Sequence, residues 1–223
     1  MHYSQNNLVE IKDKIKSKIK DLQLSEYNPK IIAVSKTFSE QDILPLLNYG
    51  HCDFGENKVQ EAVKKWEDLK KKYEKVKLHM LGKLQTNKVK YAVEIFDYIH
   101  SLDNLKLANK LAEEIHKKDK KIEIFIQINL GGEKQKTGIK PSELEQFYKN
   151  CCLLDLNIIG TMCIPPENDD PRLYFKDLFE LNKKIGLTEI SMGMSKDYLD
   201  ALEYKTTFLR IGTGIFGQRT NRF

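Results

Sequence analysis

Short apolar runs alternate regularly with longer stretches patterned for helix, and this alternation constrains the fold more than any other feature. Residues 31–34, Ile31-Ile32-Ala33-Val34, are four consecutive apolar residues. Such a run is too short for a helix, and it is unbroken in the way of a strand covered on both faces. Strand-like runs recur at 52–54, 78–81, 98–101, 122–130, 158–164, 189–192 and 208–211. The 122–130 run is the richest in β-branched residues, and Pro165-Pro166 closes 158–164. Helix-patterned segments fill the gaps. One spans 39–50, opening at Ser39 with Asp42 three residues on and stopping at Gly50. Others cover 57–73, a stretch from Thr86, 104–117, a stretch opened by Pro141, and 171–185. Parallel strands need a crossover, and this pattern supplies one each time. Eight such units predict an α/β chain closed as a (β/α)8 TIM-type barrel. An open doubly wound sheet is the alternative with the same alternation. Ahead of the first strand, Leu8, Ile11, Ile15, Ile19 and Leu22 recur at helical spacing among charged positions. They predict an extra N-terminal amphipathic helix over 8–24, laid against the barrel.

The chain has 223 residues, enough for one large core, and neither a repeat nor a low-complexity linker divides it. It reads as a single domain, 1–223. The net charge of +5 could suit a nucleic-acid binder. Its lysines, however, come as Lys64-Lys65, Lys70-Lys71-Lys72 and Lys117-Lys118 mixed with Glu and Asp, which is a solvated ring of helices rather than a basic stripe. No nucleic-acid partner is expected. Cys52, Cys151, Cys152 and Cys163 have neither CxxC spacing nor a partnered histidine pattern, so no metal is expected and a reducing cytoplasm fits. The first residues are polar with no apolar h-region, and no apolar run is long enough to span a bilayer. A cytoplasmic protein with no membrane partner is the expectation.

Several residues sit where a barrel does its chemistry, at strand ends. Lys36 follows the first strand directly. A lysine held there, partly stripped of water, can attack a carbonyl to form a Schiff base. The plain alternative is a solvated lysine just past a strand. Arg210-Ile211-Gly212-Thr213-Gly214 brings two glycines straight after the last strand, and Ser195 follows the seventh. Loops after strands seven and eight are a common phosphate site in barrels, with a short following helix aiming its N-terminus at the anion. Singly, the glycines read as a turn and Ser195 as a helix N-cap. Together they favour phosphate. Asn57 follows the second strand and is a site candidate or a helix N-cap. His79, on the third, is a site candidate or a packed core residue.

Five strings in order carry more weight than any one. They are Ala33-Val34-Ser35-Lys36; Phe54-Gly55-Glu56-Asn57-Lys58-Val59-Gln60-Glu61; His79-Met80-Leu81-Gly82-Lys83-Leu84-Gln85-Thr86-Asn87-Lys88; Ser191-Met192-Gly193-Met194-Ser195; and Arg210-Ile211-Gly212-Thr213-Gly214-Ile215-Phe216-Gly217. From Ile31 to Arg219 the chain resembles the pyridoxal phosphate homeostasis protein family, whose barrel is of the alanine racemase N-terminal-domain kind. The resemblance implies pyridoxal 5'-phosphate as cofactor and Lys36 as its Schiff-base residue. It implies Ser195, Gly212 and Thr213 at the phosphate, and Asn57 near the ring hydroxyl or the Schiff base. Arg210 would face the ring nitrogen. A donor-only, permanently charged group there holds that nitrogen unprotonated and weakens the cofactor as an electron sink. The alternative for Arg210 is pairing with a surface carboxylate. Lys136, after the fifth strand, is a candidate second amine.

Three functions compete. The first is a carrier that holds pyridoxal phosphate reversibly, balances vitamin B6 supply and hands the cofactor to dependent enzymes. The second is a racemase or decarboxylase of the alanine racemase fold type. The third is a sugar-phosphate barrel without cofactor, which leaves Lys36 and Arg210 together unexplained. The chain ends at Phe223, a dozen residues past the last strand, leaving no room for the β-rich second domain of racemases. Two-base racemisation needs acid–base groups on both faces of the substrate carbon, and only Lys36 offers itself. The expectation is a monomeric carrier with no catalytic residue.

Overall fold

In the computed structural model, which describes residues 2–133 and 135–218, eight parallel strands close into one barrel in chain order. They are β1 (Lys30–Val34), β2 (Asp53–Glu56), β3 (Lys77–Met80), β4 (Tyr98–Leu102), β5 (Glu123–Gln127), β6 (Ile158–Met162), β7 (Glu189–Ser191) and β8 (Phe208–Ile211). Closure is the pairing of β1 with β8, in register from Lys30 opposite Phe208 to Ala33 opposite Ile211. That pairing rules out the open sheet. The helices are α1 (Tyr3–Asp21), α2 (Glu40–Asn48), α3 (Val59–Lys72), α4 (Val89–Ile95), α5 (Leu105–Lys118), α6 (Leu144–Leu153), α7 (Pro171–Lys184), and the one-turn α8 (Tyr198–Ala201) and α9 (Thr213–Phe216). Arg219, where the family resemblance ends, lies outside the described residues.

Element ends differ from the sequence reading for identifiable reasons. β5 stops at Gln127, not at residue 130, because Ile128 leaves the ladder to bridge Ile139 in the following loop. The segments expected to open at Thr86 and Pro141 begin as 3₁₀ turns, Thr86–Lys88 and Pro141–Glu143. Ser39 and Asn104 stand outside their helices as N-caps, and Asp42 reaches back to the Ser39 N–H at 2.8 Å. α1 begins earlier than expected because His2 caps it, and it ends before Gln23, whose φ is +57°.

Ile32, Tyr98, Phe125, Met162 and Phe208 fill the barrel interior, and the larger core lies between the sheet and its helices. α1 buries Leu8, Ile11 and Ile15, each worth roughly 1.5–3 kcal/mol of burial. Its polar contacts are specific. Asn7 Nδ2 donates to the Ile215 carbonyl at 2.9 Å, and the Tyr3 hydroxyl donates to the Phe216 carbonyl at 3.3 Å. α1 therefore braces α9, which carries the glycine loop at the mouth.

Candidate functional site

At the C-terminal ends of the strands a cavity of about 1050 Å³ opens, and Lys36, Asn57, Ser195, Arg210, Gly212 and Thr213 all line it. Six of the seven residues expected at the site thus line one cavity, and Lys136 joins them from the loop after β5. The seventh, His79, does not. It is fully buried inside the barrel, its ring stacked on Tyr98 at 4.3 Å.

Lys36 is mounted on a braced turn. The buried Ser35 hydroxyl donates to Glu56 Oε1 at 2.8 Å, and Lys65 Nζ donates both to the Ser35 carbonyl and to Glu56 Oε1 at 2.9 Å. Trp66 Nε1 adds a bond to the same carboxylate oxygen at 3.0 Å. On the other side of Lys36, the Thr37 N–H donates to Glu61 Oε1 at 2.5 Å, with Thr37 in the left-handed region at φ +69°. Both neighbours of Lys36 are therefore tied to β2 and α3. A charge pair this buried is costly to assemble and more costly to break on one side.

Asn57 is not the cap of α3; Lys58 occupies that position. What places Asn57 is the turn after β3. A Cβ on Gly82 would fall 2.3 Å from the Asn57 carbonyl oxygen, so only glycine permits the two loops to touch. Ser195 is no cap either, because α8 begins after Asp197. Its hydroxyl accepts from the Gly214 N–H at 3.0 Å and so fastens the loop after β7 to the loop after β8. α9, with four residues, is too short to supply a helix dipole. The loop offers backbone amides and the Thr213 hydroxyl instead. Gly212 has φ −106°, open to any residue, and a Cβ there would meet nothing nearer than Val34 at 3.5 Å. Glycine at 212 is not demanded by the fold; it leaves the cavity wall bare for a ligand's approach.

Arg210 is buried, and its described partners are uncharged: Nη1 donates to Ser191 Oγ at 2.6 Å and Nη2 to the Cys163 carbonyl at 2.7 Å. The expected alternative, an arginine paired to a surface carboxylate, is not what these contacts form. Burial lowers its pKa, against the pull of Cys163 and Asp197, yet an arginine remains charged. Burial pushes the Cys163 thiol up to about 12 and raises the Asp197 carboxyl. Lys136 Nζ lies 2.5 Å from Glu133 and donates to the Pro165 carbonyl at 3.2 Å.

The alanine racemase N-terminal domain family model matches residues 12–220. The pyridoxal phosphate homeostasis protein of Aquifex aeolicus is 38% identical over 85% of this chain and 87% of its own. That of Pasteurella multocida is 34% identical over 96% and 97%. This chain belongs to the pyridoxal phosphate homeostasis protein family. Among solved structures, PipY of Synechococcus elongatus with PLP bound is 32% identical, with a TM-score of 0.79 over 91% of this chain and all of its own. An alanine racemase from Clostridium difficile, 15% identical with a TM-score of 0.71, shares the fold and is spanned over 58% of its length.

Within this homeostasis-protein barrel, some supporting residues escaped sequence reading. Glu56 and Lys65 looked like part of a motif and part of a solvated lysine run, yet both are buried. Lys65 directly precedes Trp66 on the apolar stripe of α3, between Ala62 and Leu69, and that stripe was the available signal. Ser191 lay inside a quoted string, but nothing in the sequence joined it to Arg210. No group of three or more metal-ligating side chains occurs among the described residues.

Proposed function

We propose that this protein binds pyridoxal 5'-phosphate in the mouth cavity and holds it for intracellular vitamin B6 homeostasis, as a carrier rather than a racemase. The observation that carries the reading is the convergence of Lys36, Arg210 and the Ser195–Gly214 double loop on one cavity. The donor set fits the group. Lys36 would take the aldehyde, bare amides and the Ser195 and Thr213 hydroxyls would hold the phosphate, and Arg210 would suit an unprotonated ring nitrogen. When bound, the cofactor supplies an aldehyde that a lysine takes up as a Schiff base. The chain's own part is to brace Lys36 through Ser35 and Thr37, to orient Asn57 through Gly82, and to fix the Arg210 guanidinium on the cavity wall. The names of the curated relatives and the PLP-bound PipY structure support the same reading.

The carrier reading rests on Arg210. A guanidinium held by a hydroxyl and a carbonyl stands where carbanion chemistry would want a carboxylate to keep the ring nitrogen protonated. Working as a monomer in the cytoplasm and passing the cofactor to dependent enzymes belong to this proposal too. The purified protein should take up pyridoxal phosphate with a yellow band that borohydride bleaches, and peptide mapping should place the label on Lys36. Label chiefly on another lysine would sink the site. Amino acids in deuterated water should show little α-proton exchange. Brisk exchange that disappears in Lys36→Ala would overturn the carrier in favour of an enzyme.

A further inference from the structure

A line of buried polar groups runs the length of the barrel and ends on Arg210. It starts at Asp53, the first residue of β2, at the opposite rim. Asp53 Oδ1 lies 3.1 Å from His79 Nε2, and His79 Nδ1 lies 3.0 Å from His100 Nε2. His100 Nδ1 lies 2.8 Å from Ser191 Oγ, which lies 2.6 Å from Arg210 Nη1. His79, His100 and Ser191 are completely buried. The imidazoles are clamped by aromatics, His79 against Tyr98 and His100 against Phe125, each at 4.3 Å between centroids.

Elementary donor rules fix the direction of every bond. Arginine only donates, so Ser191 Oγ accepts from it. At the other end the Asp53 carboxylate only accepts, so neutral rings must each donate from Nε2 and accept at Nδ1, and the Ser191 hydroxyl donates to His100 Nδ1. A neutral His100 then carries its proton on Nε2 and donates to His79 Nδ1. His79 in turn carries its proton on Nε2 and donates to Asp53. All four bonds point from Arg210 towards Asp53. Neutrality of both rings follows from their setting. His100 is held well below the ordinary histidine range by burial, with His79 and Arg210 adding to it. Burial also lowers His79, outweighing Asp53. The titratable and charged groups facing the pair are Lys30 from β1, Asp53 from β2 with His51 beside it, Asp97 ahead of β4, and Arg210 from β8.

We propose that Asp53, His79, His100 and Ser191 are positioning residues for the cofactor: a one-directional hydrogen-bond column that locks Arg210 through an uncharged partner and keeps the column's own carboxylate at the far rim. This rests on the reading of the cavity as a pyridoxal phosphate site. Asp197 is the carboxylate whose charge bears on Arg210, with no described hydrogen bond to it. The column sets its own carboxylate at the far rim and adds no second one nearby, so the guanidinium keeps its field towards the cavity. A ring nitrogen facing that field is kept as an acceptor. Placing the Asp53 carboxylate one bond away would have cancelled it.

The test begins on the unliganded wild type, with ¹⁵N-labelled histidine followed by NMR from about pH 6 to pH 8, the range in which ordinary imidazoles titrate. His79 and His100 should both be neutral Nε2–H tautomers throughout. An Nδ1–H tautomer at either, or a cationic ring at neutral pH, overturns the column. The second arm loads pyridoxal phosphate labelled with ¹⁵N in its ring. Ser191→Ala should weaken its binding about tenfold, as expected for losing one partner of a charge-assisted bond, and should move the ring-nitrogen signal. Asp53→Asn, at the partly exposed far rim and off the cavity wall, keeps an acceptor for His79 and removes only the charge. It should move the ring signal in the same sense by a smaller amount and leave the histidine tautomers in place. A ring signal unmoved by both variants overturns the proposal. A wild type that takes up no pyridoxal phosphate overturns the cofactor reading and the column's role with it, whereas wrong tautomers with normal uptake overturn the column alone.

Discussion

The two ends of β1 each carry a lysine, and comparing them explains why only one end is a site. Lys30 opens the strand and Lys36 follows its close. Each lies on a cavity, of about 470 Å³ at the strand starts and about 1050 Å³ at the strand ends. Both volumes could take a small molecule, so size does not decide. Surroundings do. Lys30 is exposed and rests over aromatic faces, 5.0 Å from the Phe208 ring and 5.6 Å from that of Tyr98, with Glu123 and Glu189 also on that wall. Lys36 stands on a turn braced from both sides, across from loop amides and a buried guanidinium. A strand start offers an amine a place to rest. A strand end surrounds it with groups that each take a different part of one ligand.

Substitutions can break this contrast, beginning with the largest effect. Lys36→Ala should abolish borohydride-fixed labelling by pyridoxal phosphate, while Lys30→Ala should leave it intact; equal loss in both would erase the distinction. Glu56→Ala removes the buried partner of Lys65 and should cost about 3 kcal/mol in urea unfolding, because Lys65 keeps only the more exposed Glu61, at 3.2 Å. A cost under about 1 kcal/mol would mean that the brace beneath Lys36 is slack.

Acid should act on the barrel interior. His79 and His100 have lowered pKa values, so the folded protein keeps them neutral while the unfolded chain protonates near pH 6.5. Their contribution is complete above about pH 6.5 and falls as pH drops below it, by up to about 1.4 kcal/mol per pH unit for each ring. Asp53 is also lowered: burial alone would raise it, but bonding to His79 prevails. Its contribution is present above the ordinary carboxylate value and is lost only at lower pH still. Denaturation midpoints measured from about pH 7 down to pH 5 should therefore decline, and a flat profile would contradict two neutral buried histidines.

Smaller effects sharpen the picture. Gly212→Ala should leave the melting temperature unchanged and weaken pyridoxal phosphate about tenfold, with unphosphorylated pyridoxal affected less. A drop in melting temperature instead would make Gly212 a folding glycine. Lys30→Ala should cost about 1 kcal/mol or less, the worth of exposed cation–π contacts.

The barrel was legible because parallel strands buried on both faces leave apolar runs at regular intervals. Lys36, Asn57, Ser195 and the Arg210–Thr213 stretch were legible because strand ends can be located from those runs. The interior column was not. His79 and His100 occupy inward positions of their strands, where pattern cannot tell a histidine bonded to a histidine from one packed in a core. Ser191 and His100 are 91 residues apart in sequence, a proximity that only closure of the barrel creates. Strand ends at 127 and 162 were misjudged because Ile128 and Cys163 continue the apolar run after the ladder has stopped. Apolar character reports burial, and a buried residue need not be a paired one.

The brace between α1 and α9 has a consequence for how the protein comes into being. Tyr3 and Phe216 are 213 positions apart, and β1 cannot close the barrel until β8 exists. During synthesis Lys36 and its turn emerge early, but the loop opposite them can take shape only after nearly the whole chain has been made. Contacts of such long range form late and slowly. The cavity is thus the last-assembled part of the molecule, and a ligand bridging Lys36 to the Gly212 loop would tie the earliest-made wall to the latest, adding its binding free energy to the step that completes folding.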